Sequence, residues 1–214
     1  QRLSILDLSD AGRQPMRSAS GLSVISYNGE VYNYQEFRTE HLNHDLRSNS
    51  DTEVILEILE KTGIKKALNS FNGMWAFAWY DQDQNKLFLA RDRVGIKPLY
   101  YYCDGESLYF SSEVKSVLVG PNKKFLLNPQ VVGEYLCQSL QDSSEATFFE
   151  GIQALPAGCF AEIDLSQDTI SLNIQPYWSL PQEQASLSLK DAQAKVEEIF
   201  RDSVKLRMRS DVPV

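Results

Sequence analysis

The sequence predicts an α+β fold in which antiparallel sheet fills the first three quarters of the chain and amphipathic helices interrupt and follow it. Three observations lead to this. Short runs rich in aromatic and aliphatic residues recur between positions 22 and 111, separated by Asn, Asp and Gly. Two of the separating segments have the chemistry of hairpin turns. Apolar residues at helical spacing follow a Ser or Asn cap at positions 50, 128 and 188.

The strand candidates are 22–27, 74–80, 86–91, 99–102 and 108–111. Asp81-Gln82-Asp83-Gln84-Asn85 joins the second to the third, and Asp104-Gly105 is a tight turn between the last two, so both pairs read as antiparallel hairpins. After the turn-like Leu155-Pro156-Ala157-Gly158, residues 160–164 and 169–174 form a later pair around Ser166-Gln167-Asp168, expected at the edge of the same domain. Ser50 with Glu53 reads as a capping box, followed by Val54, Ile55, Ile58 and Leu59 at helical spacing and closed by Gly63. Asn128-Pro129 opens a second helix, with Val132, Tyr135 and Leu136 as its buried positions. Ser188 opens a third, with Ala192, Val196, Ile199 and Phe200 on one face and Glu197, Glu198 and Arg201 on the other. Pro176-Tyr177-Trp178-Ser179-Leu180-Pro181-Gln182, just ahead of it, reads as a domain boundary.

Composition bounds the function. A chain of 214 residues, 43% hydrophobic, fills the core of one large domain or of one domain and part of another. A net charge of -8 argues against an extended phosphate-binding face, so nucleic acid is not an expected partner. No apolar run approaches the roughly 20 residues of a membrane-spanning helix, and the first residues lack the pattern of a secretion signal. No membrane association and a cytoplasmic location are the expectations. Cys103, Cys137 and Cys159 are odd in number and lack a C-x-x-C pattern, so they are expected to be buried small apolar residues. His41 and His44 stand three apart with no third ligand in view and read as solvated, so no metal site is expected.

Several short segments carry candidate binding chemistry, and each also has an ordinary structural reading. Arg2 is a surface cation or, through its planar guanidinium, a bidentate carboxylate ligand. Asn28-Gly29 is by default a turn dipeptide; it also presents an amide side chain and an unhindered N–H to a single oxygen. Asp51 lies in the first turn of a capped helix, where the helix dipole stabilises a carboxylate without any ligand. Glu30 reads on its own as solvating a loop.

Their joint order narrows the choice. Arg2-Leu3-Ser4-Ile5, Tyr27-Asn28-Gly29-Glu30, Ser50-Asp51-Thr52-Glu53 and Ala90-Arg91-Asp92-Arg93-Val94-Gly95-Ile96-Lys97-Pro98-Leu99-Tyr100-Tyr101 are followed at the end by Arg209-Ser210-Asp211-Val212-Pro213-Val214. Together they resemble the glutamine-hydrolysing half of the asparagine synthetase family. The resemblance implies an N-terminal nucleophile hydrolase fold, a four-layer αββα sandwich of two antiparallel sheets between helical layers. It implies a class II glutamine amidotransferase domain over residues 1–180. Residues 181–214 would then be a linker and the first helix of an ATP-using synthetase domain, with the last segment approaching its pyrophosphate-binding loop.

The same resemblance assigns roles. Glutamine's carboxylate would be held by Arg2, beside a backbone wall formed by Leu3, Ser4, Ile5 and Leu6. Its α-amino group would meet Glu30 and Asp51, and the oxyanion would be received by the Asn28 amide and the Gly29 N–H. The family's nucleophile is an N-terminal cysteine whose own α-amine serves as base. The chain opens with Gln1, so the resemblance implies a fragment without that cysteine and without most of the synthetase domain. Ammonia would pass to an adenylated carboxylate, normally that of aspartate, made with ATP and Mg2+ in the second domain, and no cofactor is expected in residues 1–214 themselves. Expected partners are glutamine here and aspartate and ATP in the parent protein, with a homodimer left open. Two other readings stand beside this one: an amidotransferase for another carboxylate, and a catalytically dead relative kept as a binding or assembly module.

Overall fold

Burial alternates along a nine-residue strand, and that strand organises the molecule. The computed structural model describes residues 6–42, 45–182 and 186–212. In chain order its strands are β1 (Met16–Arg17), β2 (Ser23–Val31), β3 (Gly73–Asp81), β4 (Lys86–Arg91), β5 (Tyr100–Cys103), β6 (Leu108–Ser111), β7 (Gln153–Ala154), β8 (Cys159–Asp164) and β9 (Asn173–Pro176). The helices are α1 (Tyr34–His41), α2 (Asp51–Thr62), α3 (Ile64–Ser70), α4 (Val114–Val119), α5 (Pro129–Gln138) and α6 (Leu189–Arg207). Both sheets are antiparallel, one in the order β1-β2-β3-β4-β8-β9 and the other β6-β5-β7.

Side-chain alternation turns these sheets into layers. Ile25, Tyr27 and Val31 of β2 share a face with Trp75, Phe77 and Trp79 of β3, and this face packs on α2 and α3 through Val54, Ile55, Ile58, Leu59, Ala67 and Leu68. Each of these α2 side chains is at most 2% exposed, and burying one contributes about 1.5 to 3 kcal/mol. The opposite face, with Ala76, Ala78, Leu89 and Ala161, meets Leu99 and Tyr101 from the second sheet. Beyond that sheet, Tyr102 and Ile152 pack on Val117 of α4. The succession helix, sheet, sheet, helix is the αββα sandwich that the resemblance implied.

The expected hairpins form: β3 and β4 pair across residues 82–85, and β5 and β6 across the Asp104-Gly105 turn. They belong to different sheets rather than to one. The later pair also forms, with β9 at the edge of the six-stranded sheet, but its second strand starts at Asn173 instead of 169. Ile170 and Leu172 pack instead into the core between the sheets.

Four expectations are corrected. Asn28-Gly29 is not a turn: both residues sit inside β2, opposite Ala76 and Trp75. Close approach is why the second must be glycine, since a Cβ there would meet the Met74 carbonyl oxygen at 2.2 Å. The capping box is not made, because the Ser50 hydroxyl bonds Ser48 and the Glu53 carboxylate bonds the N–H groups of Arg47 and Ser48. α5 starts with Asn128 capping Gln130 and Val131 as expected, yet buries no residue; Tyr135 is 42% and Leu136 74% exposed, and Val132 only partly buried. Cys137 is exposed on that helix, and Cys103 and Cys159 are half-buried, so none of the three thiols is a core residue.

His41 is exposed and stacks on Phe37, 5.8 Å between ring centroids, while His44 lies outside the described residues. Among the described residues no helix is long and apolar enough to cross a membrane.

Candidate functional site

The exit of β2 and the start of α2 meet in a corner that holds four of the predicted site residues. Tyr32 N–H donates to the Asn72 carbonyl across the sheet at 2.8 Å, which fixes the parity of β2: the even residues bond β3 and the odd ones point their N–H groups away. On that far edge β1 pairs only with Val24 and Ile25. Tyr27 N–H then donates to the Gln14 side chain at 2.6 Å and Val31 N–H to the Asp51 carboxylate at 3.0 Å. The Gly29 N–H lies between these two, on the same edge.

Asp51 is tied to this strand twice. Its Oδ2 accepts from Val31 N–H and from the Tyr27 hydroxyl, at 3.0 and 2.8 Å, and the residue is 4% exposed. Tyr27 itself is buried, and burial together with the Asp51 carboxylate raises its pKa well above the usual phenolic value. The helix N-terminus, the strand N–H and the Tyr27 hydroxyl thus hold the Asp51 carboxyl group in a place that water scarcely reaches.

Glu30 is also 4% exposed, and its Oε1 has no hydrogen-bond partner among the described residues. Burial and the neighbouring Asp51 charge push its pKa up to about 7, with the Lys97 and Arg207 charges pulling the other way. A buried carboxyl group with an orphan oxygen beside a second carboxyl group can accept hydrogen bonds from a donor-rich group placed against it.

Asn28 shares the inter-sheet face of β2 with Glu30, and its Nδ2 donates to Ser112 Oγ at 3.0 Å. Ser112 follows β6, so this bond ties the two sheets together at the site. One amide hydrogen is thereby committed to the inter-sheet contact.

The long signature at 90–101 supplies the frame. Asp92 is fully buried, and its carboxylate accepts from the N–H groups of Trp75 (3.3 Å), Val94 (3.2 Å), Ile96 (3.0 Å) and Lys97 (2.9 Å). Arg91 closes the same loop from outside, donating to the carbonyls of Gly95, Lys97 and Leu155 at 2.8 to 2.9 Å. The loop carries the chain from β4 in one sheet to β5 in the other and brings the Lys97 charge within influence of Glu30.

Of the predicted site residues, Asn28, Gly29, Glu30 and Asp51 come together; Leu6 is 5% exposed and packs in the main core. Arg2, Leu3, Ser4 and Ile5 lie outside the described residues. Sequence reasoning missed Tyr27, Gln14, Lys97 and Ser112. Tyr27 and Lys97 sat inside quoted motifs and were legible as polar tips; Gln14 and Ser112 gave no signal, because only the fold brings them near. Among the described residues no group of three or more His, Cys, Asp or Glu is placed to hold a metal ion.

Comparison with known proteins gives the family. Residues 1–178 match the family model described as glutamine amidotransferase domain. Two Bacillus subtilis relatives are named asparagine synthetase [glutamine-hydrolyzing] 3 and 2. They are 35% identical over 219 residues and 37% identical over 227 residues, each aligned to all of this chain. The chain spans 34% and 30% of their lengths, about a third of each relative. The solved Bacillus subtilis glutamine phosphoribosylpyrophosphate amidotransferase, complexed with ADP and GMP, superposes with a TM-score of 0.52 at 18% identity. That match covers 77% of this chain and 32% of the other, and shows a shared N-terminal nucleophile hydrolase fold. With a family match across most of its length and the sandwich that goes with it, the chain belongs to the glutamine amidotransferase domain family.

Proposed function

We propose that this chain is the glutaminase part of a glutamine-dependent asparagine synthetase, releasing ammonia from glutamine for transfer to an ATP-activated aspartate. The observation that carries the reading is the corner itself. Glu30 and Asp51, both buried and electrostatically coupled, suit an α-ammonium group, and the Asn28 amide and the Gly29 N–H stand close by on the strand that carries Glu30. Arg2 would take the carboxylate, with Leu3, Ser4, Ile5 and Leu6 beside it. Together these contacts select a free amino acid whose side-chain amide reaches the Asn28-Gly29 end.

Chemically, a thiolate attacks the carboxamide carbon and the carbonyl electrons move onto oxygen. The oxyanion accepts from the Asn28 amide and the Gly29 N–H. As the adduct collapses to a thioester the C–N bond breaks, and the nitrogen takes the proton that the α-amine removed from the thiol and leaves as ammonia. Water then hydrolyses the thioester to glutamate and free thiol. The attacking thiol needs a free α-amine on its own residue. Cys103, Cys137 and Cys159 all lie within the chain, on β5, α5 and β8, so the assay protein carries an N-terminal cysteine ahead of Arg2. ATP and Mg2+ would act outside residues 1–180, in a synthetase domain for which 181–214 supply the linker and first helix. A cytoplasmic location fits a reaction whose co-substrates are ATP and free amino acids.

The test is the nitrogen source. Asn28→Ala in the full-length protein lowers glutamine-fed turnover by roughly 10² to 10³ and leaves ammonium-fed asparagine formation close to wild type. Equal losses with both sources would make Asn28 a structural residue only. AMP formation with another carboxylate but none with aspartate would keep the amidotransferase and replace its product.

A further inference from the structure

The segment after α6 reaches back across the molecule to both sides of the glutamine corner. Arg209 makes a two-pronged ion pair with Glu36 on α1, Nη1 to Oε2 at 2.8 Å and Nη2 to Oε1 at 2.7 Å. Its Nη1 also donates to the Tyr32 carbonyl. Tyr32 is the residue after Val31, whose N–H holds Asp51, and two residues after Glu30. The Arg207 guanidinium lies over the Tyr32 ring, 4.8 Å from its centroid. On the other side, Asp211 Oδ2 accepts from the backbone N–H of Asp7 at 2.9 Å. The Asp7 carboxylate in turn accepts from Asn49 N–H at 2.7 Å, two residues before Asp51. Asp7 directly follows the stretch 2–6 that is expected to face the substrate carboxylate.

Position 207 closes α6, and 209 and 211 follow it at alternate places in the irregular segment beyond, so all three fall within one short stretch. Two of its contacts hold the exit of β2, which carries Asn28, Gly29 and Glu30. The third holds the segment leading out of 2–6 and, through Asp7, the approach to Asp51. The pairing is strong enough to register on both partners: Arg209 lowers the pKa of Glu36, and Glu36 raises that of Arg209. A bidentate guanidinium–carboxylate pair fixes direction as well as distance. The Arg209 side chain is 24% exposed and that of Glu36 47%, so solvent screens the pair in part and the effect read from it is modest.

We propose that Arg209 and Asp211 are positioning residues for glutamine: a clamp in which the segment 207–211 sets the spacing between the two walls of the substrate pocket. This rests on the reading of the corner as the glutamine site. It ties substrate affinity there to a segment that lies, by sequence resemblance, on the approach to the ATP-using domain. The clamp acts on binding, because its contacts reach the Tyr32 carbonyl, two residues past Glu30, and Asp7, which holds the approach to Asp51, and it touches no group proposed to meet the reacting carbon.

The experiment is steady-state glutaminase kinetics of the full-length, cysteine-bearing protein without ATP or acceptor. Its variants are Glu36→Gln, Arg209→Gln, the two combined, and the charge swap Glu36→Arg with Arg209→Glu. Each single variant raises the KM for glutamine by roughly 3- to 10-fold while kcat stays within about twofold. The double variant is no worse than the worse single one, and the swap recovers much of the loss. Asp211→Ala, on the opposite arm, removes the acceptor for the Asp7 N–H and raises KM in the same way. Wild-type KM in all of these proteins, or a loss of kcat at unchanged KM, overturns the clamp while leaving the site reading intact. A wild-type protein that leaves glutamine untouched overturns the site reading, and the clamp with it.

Discussion

The two longest described helices, α2 and α6, are both amphipathic, and they end up in opposite surroundings. α2 buries nine consecutive residues, Asp51 to Leu59, among them three carboxylates. α6 buries none: Val196 is 67%, Ile199 57% and Phe200 68% exposed. Apolar periodicity is therefore evidence for a helix and for the face it offers, and says nothing about whether that face is covered. Buried charge is the more informative signal. Carboxylates are taken out of water only where something repays the desolvation. At α2 Glu53 is repaid by Ser48 and Arg47, and Asp51 by Tyr27 and Val31. Glu30, on the strand beside them, keeps one oxygen unmatched among the described residues, and that mismatch is what singles it out as a candidate site residue.

The largest effect is expected where buried charge is fully repaid. Asp92→Ala strands the N–H groups of Trp75, Val94, Ile96 and Lys97, and removing one such network costs about 3 kcal/mol or more in urea unfolding. A change under 1 kcal/mol, within the roughly ordinary range of a surface substitution, would mean that the loop 92–97 is held by Arg91 alone.

The next effect is a pH dependence at the unmatched carboxyl. The folded-state pKa of Glu30 lies at about 7, above the ordinary 4.5. The folded protein thus binds this proton more tightly than the unfolded chain. The stabilising contribution is complete below about 4.5 and is lost as pH rises through 7. Wild type should lose stability against Glu30→Gln across that window, and parallel curves would place the carboxyl in water. An ammonium ligand reverses the preference, so glutamine affinity rises with pH through 7 in wild type and stays flat in Glu30→Gln.

The smallest effect is expected on the uncovered helix. Phe200→Glu replaces an aromatic that is 68% exposed and should shift the stability of the 214-residue chain by less than about 0.5 kcal/mol. A loss comparable to that of a core aromatic would show that α6 packs on the chain after all.

Much of the fold was legible because its strands are short, strongly apolar and bounded by Asn, Asp and Gly. All five early strand candidates overlap strands, and three helices start directly after Ser50, Asn128 and Ser188, although only Asn128 and Ser188 cap theirs with a side chain. The assignment to two sheets was not legible, since hairpin chemistry pairs neighbours without saying which layer they join. α1, α3 and α4 were missed because each is eight residues or fewer, too short for periodicity to emerge. Asn28-Gly29 misled for a definite reason. A turn dipeptide can also serve mid-strand where the neighbouring backbone comes close, and only the Met74 carbonyl reveals that. Glu30 and Asp51 were found through motif order, whereas Ser112 is 84 residues from the Asn28 it holds and is invisible to any local pattern.

The central claim is that Glu30 and Asp51 hold the α-ammonium group of glutamine. Calorimetry on the 214-residue chain, which has no terminal thiol to consume the ligand, compares glutamine with its desamino analogue 4-carbamoylbutanoate. The account predicts that glutamine binds and the analogue binds at least about tenfold more weakly, the loss typical of one charge-assisted contact set, and that Asp51→Asn erases the difference. Equal affinities for the two ligands in the unmodified chain would contradict it.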